Sequence, residues 1–509
     1  MNKVLLLILD GWGIGAPDLL HNAVYKVRPQ YWQKLLEDFP NTVLSAREDS
    51  VGLSKGHLSN SEVGHTAIGA GRVVPQSAYA IDRAIEGGSF FDNPELEKVH
   101  AHLQAHGSVL HLAGMLSNGG VHAHINHLLA LLEWAKKRGV QTIALHLFLD
   151  GRDMAPMSAL PLLAALAPYL DEHTHIATVC GRAIGMDRTE NWDRTTAFVE
   201  TMTQGKNTVA ESVHAFIERN YSEGITDEFM APARFASTAV QENDAVVFFN
   251  FRADRMRQLV RLFLQRAPGA VQSTISVPKN LFLASAANYD DTFENVSVLF
   301  PKTVPKNNLG EWVSAQGLKQ LRLAETEKEA HVTYFVNGGQ DVQYPREERL
   351  VVPSLGLKNY APEPQMSLPL LTQSLVRALS DAHFDFLVCN IANGDMVGHS
   401  GDFHAGVKAV LEVDAALAKI IPAAQEHGYT VILTADHGNI EYMVHDGSPH
   451  TAHTFNDVPL LVTNPNIRLR PHGHLHEAAP TVLDLMGIPR PKEMTSQSLR
   501  KGAQDEIHR

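Results

Sequence analysis

Two apolar runs that each end in an aspartate constrain this chain more than any other feature. K-V-L-L-L-I-L-D-G-W-G delivers Asp10 and Gly11, and V-I-L-T-A-D-H-G delivers Asp436 and His437. A short, wholly apolar run closed by turn residues reads as a strand buried on both faces, as in parallel sheets. Alone, Asp10 reads first as a turn former. If the two strands are neighbours, however, their carboxyl ends aim two carboxylates into one crevice, where open α/β sheets place their sites.

The stretch from Asp395 to His453 strengthens that reading. It runs N-G-D-M-V-G-H-S-G, then T-A-D-H-G-N-I-E, then H-T-A-H-T. Asp395 and His399 are four apart with a glycine between them, so both can turn toward one ion in a loop or a helical turn. Asp436, His437 and His453 add further oxygen and nitrogen donors. Singly, each is an ordinary surface histidine or loop carboxylate; as a glycine-flanked set they read as a metal site. Mixed oxygen and nitrogen ligands suit Mn, Zn or Co better than an all-oxygen magnesium cage.

At 509 residues, 44% of them hydrophobic, two or more domains are expected. The net charge of −13 and the lack of a long Lys/Arg run argue against nucleic acid. The only two cysteines, Cys180 and Cys389, lie far apart in apolar contexts, which reads as buried small hydrophobes in a reducing compartment. The apolar run Val4–Leu9 is too short for a signal peptide or a membrane span. The expectation is a cytoplasmic, monomeric protein with no membrane partner.

Along the chain, helices are expected near Pro29–Phe39, Ile125–Arg138, Ala159–Leu170, Trp192–Thr203, Val209–Asn220, Leu309–Gln316, Leu368–Ala382, Phe403–Glu426 and Glu477–Met486. In S-N-S-E-V-G-H-T-A-I-G-A-G-R, Ser61 reads either as a helix N-cap or as a nucleophile at a helix amino terminus. From about Gln76 to Phe300 strands and helices alternate independently, and four strands end in polar or charged residues. That edge carries Arg152, Arg182, Arg188, Arg252 and Arg255, whose forks suit a small, doubly anionic ligand. His122 and His124 in G-G-V-H-A-H, and Asp150 and Asp153 in D-G-R-D, are acid/base candidates, with one histidine expected to be structural. P-K-T-V-P-K-N-N reads as a linker, and Lys328 as a phosphate contact or a solvated lysine. Because the Asp/His set and Ser61 flank the arginine-bearing segment, the first domain is expected to be discontinuous.

The motifs N-S-E-V-G-H, G-G-V-H-A-H, D-G-R-D, N-F-R-A-D-R, T-E-K-E-A-H-V-T, N-G-D-M-V-G-H, T-A-D-H-G-N and H-T-A-H-T, in that order, resemble the cofactor-independent phosphoglycerate mutases of the alkaline-phosphatase superfamily over nearly the whole chain. The resemblance implies an α/β fold: an alkaline-phosphatase-like three-layer metal domain, residues 1–75 plus 303–509, with a second α/β domain, residues 76–302, inserted. It implies two divalent ions, usually manganese, one held by Asp395, His399 and His453 and the other by Asp10, Ser61, Asp436 and His437. Ser61 would be the phosphorylated nucleophile and Lys328 would sit at the phosphoryl group. Phosphoglycerate would be bound by His122, Arg152, Asp153, Arg182, Arg188, Arg252 and Arg255, with Asp153 as acid/base. Ser59, Ala183–Arg188, Gly394 and Gly356–Gln365 depart from the family pattern, and no expected ligand or arginine is missing.

Overall fold

The computed structural model describes residues 2–502, which form two compact units, 2–75 with 303–502, and Gln76–Lys302. The first is built on an eight-stranded sheet in the order Glu347–Val352, Gln320–Glu325, Phe386–Ile391, Lys3–Leu9, Tyr429–Thr434, Val458–Val462, Asn41–Ser45, His472–His474. The first five strands are mutually parallel, and the Val458–Val462 strand runs antiparallel to both of its neighbours. Val4 through Leu9 are at most 1% exposed, which accounts for the unbroken apolar run: the strand is central and covered on both faces. Lys3–Leu9 and Tyr429–Thr434 are adjacent and parallel, so Asp10 and Asp436 leave the sheet at the same edge.

Helices fall close to their expected positions where capping is plain. Phe403–Glu426 starts behind Asp402, whose side chain accepts from the Ala405 N–H, and Trp192–Thr203 has the expected bounds. Two readings need correction. The expected Val209–Asn220 helix begins instead at Val213, because Ser212 caps it by accepting from the Ala215 N–H, while Val209 N–H is taken by the Arg234 carbonyl. The Ala159–Leu170 helix stops at Leu166 and tightens to a 3₁₀ turn over Ala167–Tyr169, which contains Pro168.

The second unit has a seven-stranded sheet, Ala233–Arg234, Thr174–Gly181, Ile143–Leu149, Leu110–Leu116, Ala245–Phe248, Phe282–Ser285, Val296–Val298. Every neighbouring pair is parallel except the first. The carboxyl ends of the central strands therefore gather Ser117, Asp150, Arg182 and Asn250 on one edge. Both cysteines are free and buried, and burial pushes their thiols up. Among the described residues no helix is long and apolar enough to cross a membrane.

Candidate active site

In the first unit Ser61 opens the helix Ser61–Ala70 but does not cap it. Asn60 does, with an extended backbone and a side chain that accepts from the Val63 N–H. The N-cap reading of Ser61 is thus wrong, and the correction frees its hydroxyl. Ser61 Oγ donates to Asp10 Oδ1 at 3.1 Å, lies 2.9 Å from His437 Nε2, and accepts from Lys328 Nζ at 2.8 Å. Lys328 is not solvated: it is 3% exposed and donates also to Asp10 Oδ1 at 2.8 Å and Asp395 Oδ2 at 2.7 Å. The close approach of segments depends on Gly11, at φ +70°, where a Cβ would lie 2.7 Å from the Asp395 backbone.

His399 and His453 are oriented by their second nitrogens. His399 Nδ1 donates to the Thr451 carbonyl at 2.8 Å and His453 Nδ1 to the Ser59 carbonyl at 2.7 Å. Their Nε2 atoms lie 3.1 Å apart, at 3.1 and 3.2 Å from Asp395 Oδ1. This is the arrangement of metal-binding histidines, with one nitrogen fixed by a backbone acceptor and the other turned to a shared point. Two sets of ligand atoms lie within 4.8 Å of one another: Asp395, His437 and His453, and Asp10, Asp436 and His437. His437 belongs to both, whereas the resemblance assigned it to one.

The electrostatics fit cations. Three buried carboxylates, Asp10, Asp395 and Asp436, face one ammonium, and buried Asp436 Oδ2 lies 3.2 Å from His65 Nδ1 and 3.4 Å from His437 Nε2. Burial and the charge of Asp436 raise the Asp10 carboxyl above its usual range. Asp395 is held well below its range although burial opposes this, because Lys328, His399 and His453 surround it. Burial works against Lys328 as well, yet Asp10 and Asp395 keep it charged. The Asp395 carboxylate raises the His399 imidazole, and a metal ion would take the place of that proton.

Several residues of this centre were not singled out from sequence. Asn390 donates to Asp10 Oδ2 at 2.7 Å, and His65 Nδ1 donates to the Ser61 carbonyl at 2.8 Å. Glu441, 1% exposed, accepts from Gly13 N–H at 3.0 Å, Asn439 N–H at 2.8 Å, Asn456 Nδ2 at 2.9 Å and Thr454 Oγ1. It ties together the segments that follow Asp10, Asp436–His437 and His453. Its signal was the terminal glutamate of T-A-D-H-G-N-I-E, visible but without a cationic neighbour to mark it.

In the second unit the expected polar residues share one rim. Arg182 Nη1 donates to Asp150 Oδ1 at 2.6 Å and to Asp153 Oδ2, and its side chain is 2% exposed. Arg152, Arg188 and Arg252 are about half exposed: Arg152 pairs with Glu228 at 3.4 Å, and Arg188 and Arg252 both pair with Asp254, at 2.6 and 3.2 Å. Arg255 donates to the Met186 carbonyl at 3.2 Å. His122 Nε2 is 3.9 Å from Asp153 Oδ2, and its Nδ1 is 3.5 Å from Asp254 Oδ1. Burial and the Arg182 charge push His122 down to about 4, so its ring is neutral at pH 7. Among the described residues, buried Arg182 Nε and Arg255 Nε have no hydrogen-bond partner, and such donors suit a polar ligand. His124 is the structural one of the two histidines, capping the Ile125–Lys137 helix. Asp254, inside N-F-R-A-D-R, was missed among its arginines.

A family model described as BPG-independent PGAM N-terminus matches residues 81–291, and one described as type I phosphodiesterase / nucleotide pyrophosphatase matches residues 279–485. The 2,3-bisphosphoglycerate-independent phosphoglycerate mutase of Moorella thermoacetica is 43% identical over 507 residues, 97% of this chain and 98% of its own. That of Listeria monocytogenes serovar 1/2a is 41% identical over 506 residues, 98% of this chain and 99% of its own. Leishmania mexicana phosphoglycerate mutase, solved at low cobalt concentration, superposes with a TM-score of 0.64 at 28% identity, covering 98% of each chain. The chain belongs to the 2,3-bisphosphoglycerate-independent phosphoglycerate mutases.

Proposed function

We propose that this chain interconverts 3-phosphoglycerate and 2-phosphoglycerate through a phosphorylated Ser61, without a bisphosphoglycerate cofactor. The observation that carries the assignment is the Ser61 hydroxyl, buried at a helix amino terminus with Asp10, His437 and Lys328 within 3.1 Å. Asp395, His399 and His453 would hold one divalent ion and Asp10, Ser61, Asp436 and His437 the other; the mixed donors suit Mn, Zn or Co, and manganese is the ion the family resemblance implies. When bound, the two cations would neutralise charge on the transferring phosphoryl group and favour ionisation of the attacking hydroxyl.

The protein's own groups supply the rest. Ser61 attacks phosphorus, and the phosphoserine so formed sits at the amino end of its helix, where backbone N–H groups and the helix dipole favour an anion. Lys328 adds a fixed positive charge beside that phosphoryl group. Asp153, held by Arg182 and by its own N–H on Asp150 Oδ1, enters in its acid form: it gives its proton to the glycerate oxygen as that oxygen's bond to phosphorus breaks and the ionised Ser61 oxygen bonds to phosphorus, and it regains a proton from the other hydroxyl as that oxygen takes the phosphoryl group back from Ser61. Neutral His122 and Arg152, Arg182, Arg188, Arg252 and Arg255 would retain the glycerate while it reorients. A clamp of this kind keeps water from phosphoserine, which would otherwise hydrolyse it. We read the chain as a cytoplasmic monomer acting on this small molecule alone.

The test is acid-quenched protein mixed with 3-phosphoglycerate and analysed by peptide mass spectrometry. One phosphoryl group on the peptide containing Ser61, absent from a folded Ser61→Ala variant that also lacks turnover, is the expected result. Unchanged turnover in Ser61→Ala would overturn the assignment.

A further inference from the structure

We propose that the cleft behind the loop following Asp10 is a second small-molecule site, for a flat aromatic monocarboxylate. The cleft has a volume of about 540 Å³, and its walls include Trp12, Ile14, Tyr25, Arg28, Trp32 and Leu36. Ligand sites of this size are mostly apolar with a few placed polar groups, which describes this one. Trp12 and Trp32 meet edge to face with centroids 5.7 Å apart and, 2% and 5% exposed, form a packed floor, while the part-exposed Tyr25 ring is the aromatic face open to a ligand.

Among the described residues, Arg28 is the only charged side chain lining the cleft, and it stands exposed at its mouth. Acidic residues outnumber basic ones in the chain, 56 to 43, yet among the described residues the Arg28 guanidinium has no carboxylate partner. It instead donates to Tyr25 Oη at 2.9 Å and lies 4.9 Å from the centre of the Tyr25 ring. The backbone there is left-handed, φ 49°, and ends the helix Ala23–Val27. A guanidinium poised on an aromatic face is suited to receive a planar carboxylate while a ring stacks beside it. The remaining polar side chains of the lining, Asn22, Gln33, Asn41 and Thr42, are neutral, so the site balances one negative charge and not the two of a phosphate. Gly13 and Gly15, also in the lining, pack against Glu441.

The probe is 2-naphthoate, titrated into the full-length manganese-loaded protein and followed by saturation-transfer NMR and tryptophan fluorescence. Saturable binding is expected, weakened about tenfold or more by Arg28→Gln and by replacing 2-naphthoate with neutral 2-naphthylmethanol. Arg47→Gln, which alters an exposed arginine outside the cleft, leaves binding unchanged and controls for loss of net charge. Absence of saturable binding at millimolar probe, or binding indifferent to Arg28→Gln, overturns the proposal. Neither readout depends on turnover or on Ser61, so failure here is distinct from failure of the mutase mechanism.

Discussion

Removal of the Glu441 carboxylate tests how the Ser61 centre is held together. Four neutral donors satisfy it: two backbone N–H groups, from Gly13 and Asn439, and the side chains of Thr454 and Asn456. In Glu441→Ala the side-chain donors can rotate to other acceptors, but the two N–H groups are fixed by loops and stay buried. An unsatisfied buried donor costs roughly 1–3 kcal/mol, so two cost about 2–6 kcal/mol, less what is recovered by no longer burying a charge; about 3 kcal/mol is expected. Because these loops carry Asp10, Asp436, His437 and His453, manganese affinity should fall by about 10- to 100-fold, the usual effect of removing a group that orients metal ligands. Glu441→Gln keeps the shape and one acceptor oxygen and should fall between. Urea denaturation and calorimetric manganese titration measure the two effects separately. A Glu441→Ala protein that unfolds at the wild-type denaturant midpoint and binds manganese as tightly as wild type would show that Glu441 does not hold these loops.

Other perturbations have signs set by the same geometry. Gly11→Ala places a Cβ 2.7 Å from the Asp395 backbone at a left-handed φ, so it should displace Asp395 and weaken manganese binding more than it lowers the melting temperature. His122 titrates near 4 in the folded chain and near 6.5 unfolded, so the native state binds fewer protons between those values. Its contribution is therefore present above about pH 6.5 and lost as pH falls toward 4, and His122→Gln should flatten that part of the stability profile measured by denaturation. Glu325 has the opposite sign: burial raises its carboxyl to about 7, so stability declines as pH rises from about 4.5 to 7, and Glu325→Gln should remove that decline.

What could be read in advance followed from patterns with one physical meaning. The run Val4–Leu9 admits only a covered strand, and its repetition before Asp436 placed two carboxylates at one sheet edge. Asp402 before Phe403 marked a helix start because a side-chain acceptor there has a defined partner. Ambiguity arose where two residues could do the same work. Asn60 and Ser61 are both good caps, and only the backbone conformation shows that Asn60 takes the role and leaves Ser61 free. Val209 lies in an apolar-periodic stretch, yet pairing with Arg234 keeps it outside the helix. Of the residues overlooked, Asp254 sits inside an already crowded motif and His65 reaches back only to Ser61, whereas Asn390 acts on Asp10 and Glu441 on Gly13, contacts hundreds of positions apart. Spacing along the chain carries no trace of such contacts. The arginines were visible as a group, but the commitment of Arg182 to Asp150 and Asp153, against the exposed forks of Arg152 and Arg252, depends on depth below the surface.

The central claim is that phosphorus moves within phosphoglycerate through Ser61 and the glycerate stays bound. Phosphorus NMR of metal-stripped protein reconstituted with manganese, given 3-phosphoglycerate and no bisphosphoglycerate, tests it most directly. 2-Phosphoglycerate is expected with manganese present and none without it. Inorganic phosphate as the main product, or 2-phosphoglycerate formed equally by the stripped protein, would contradict it.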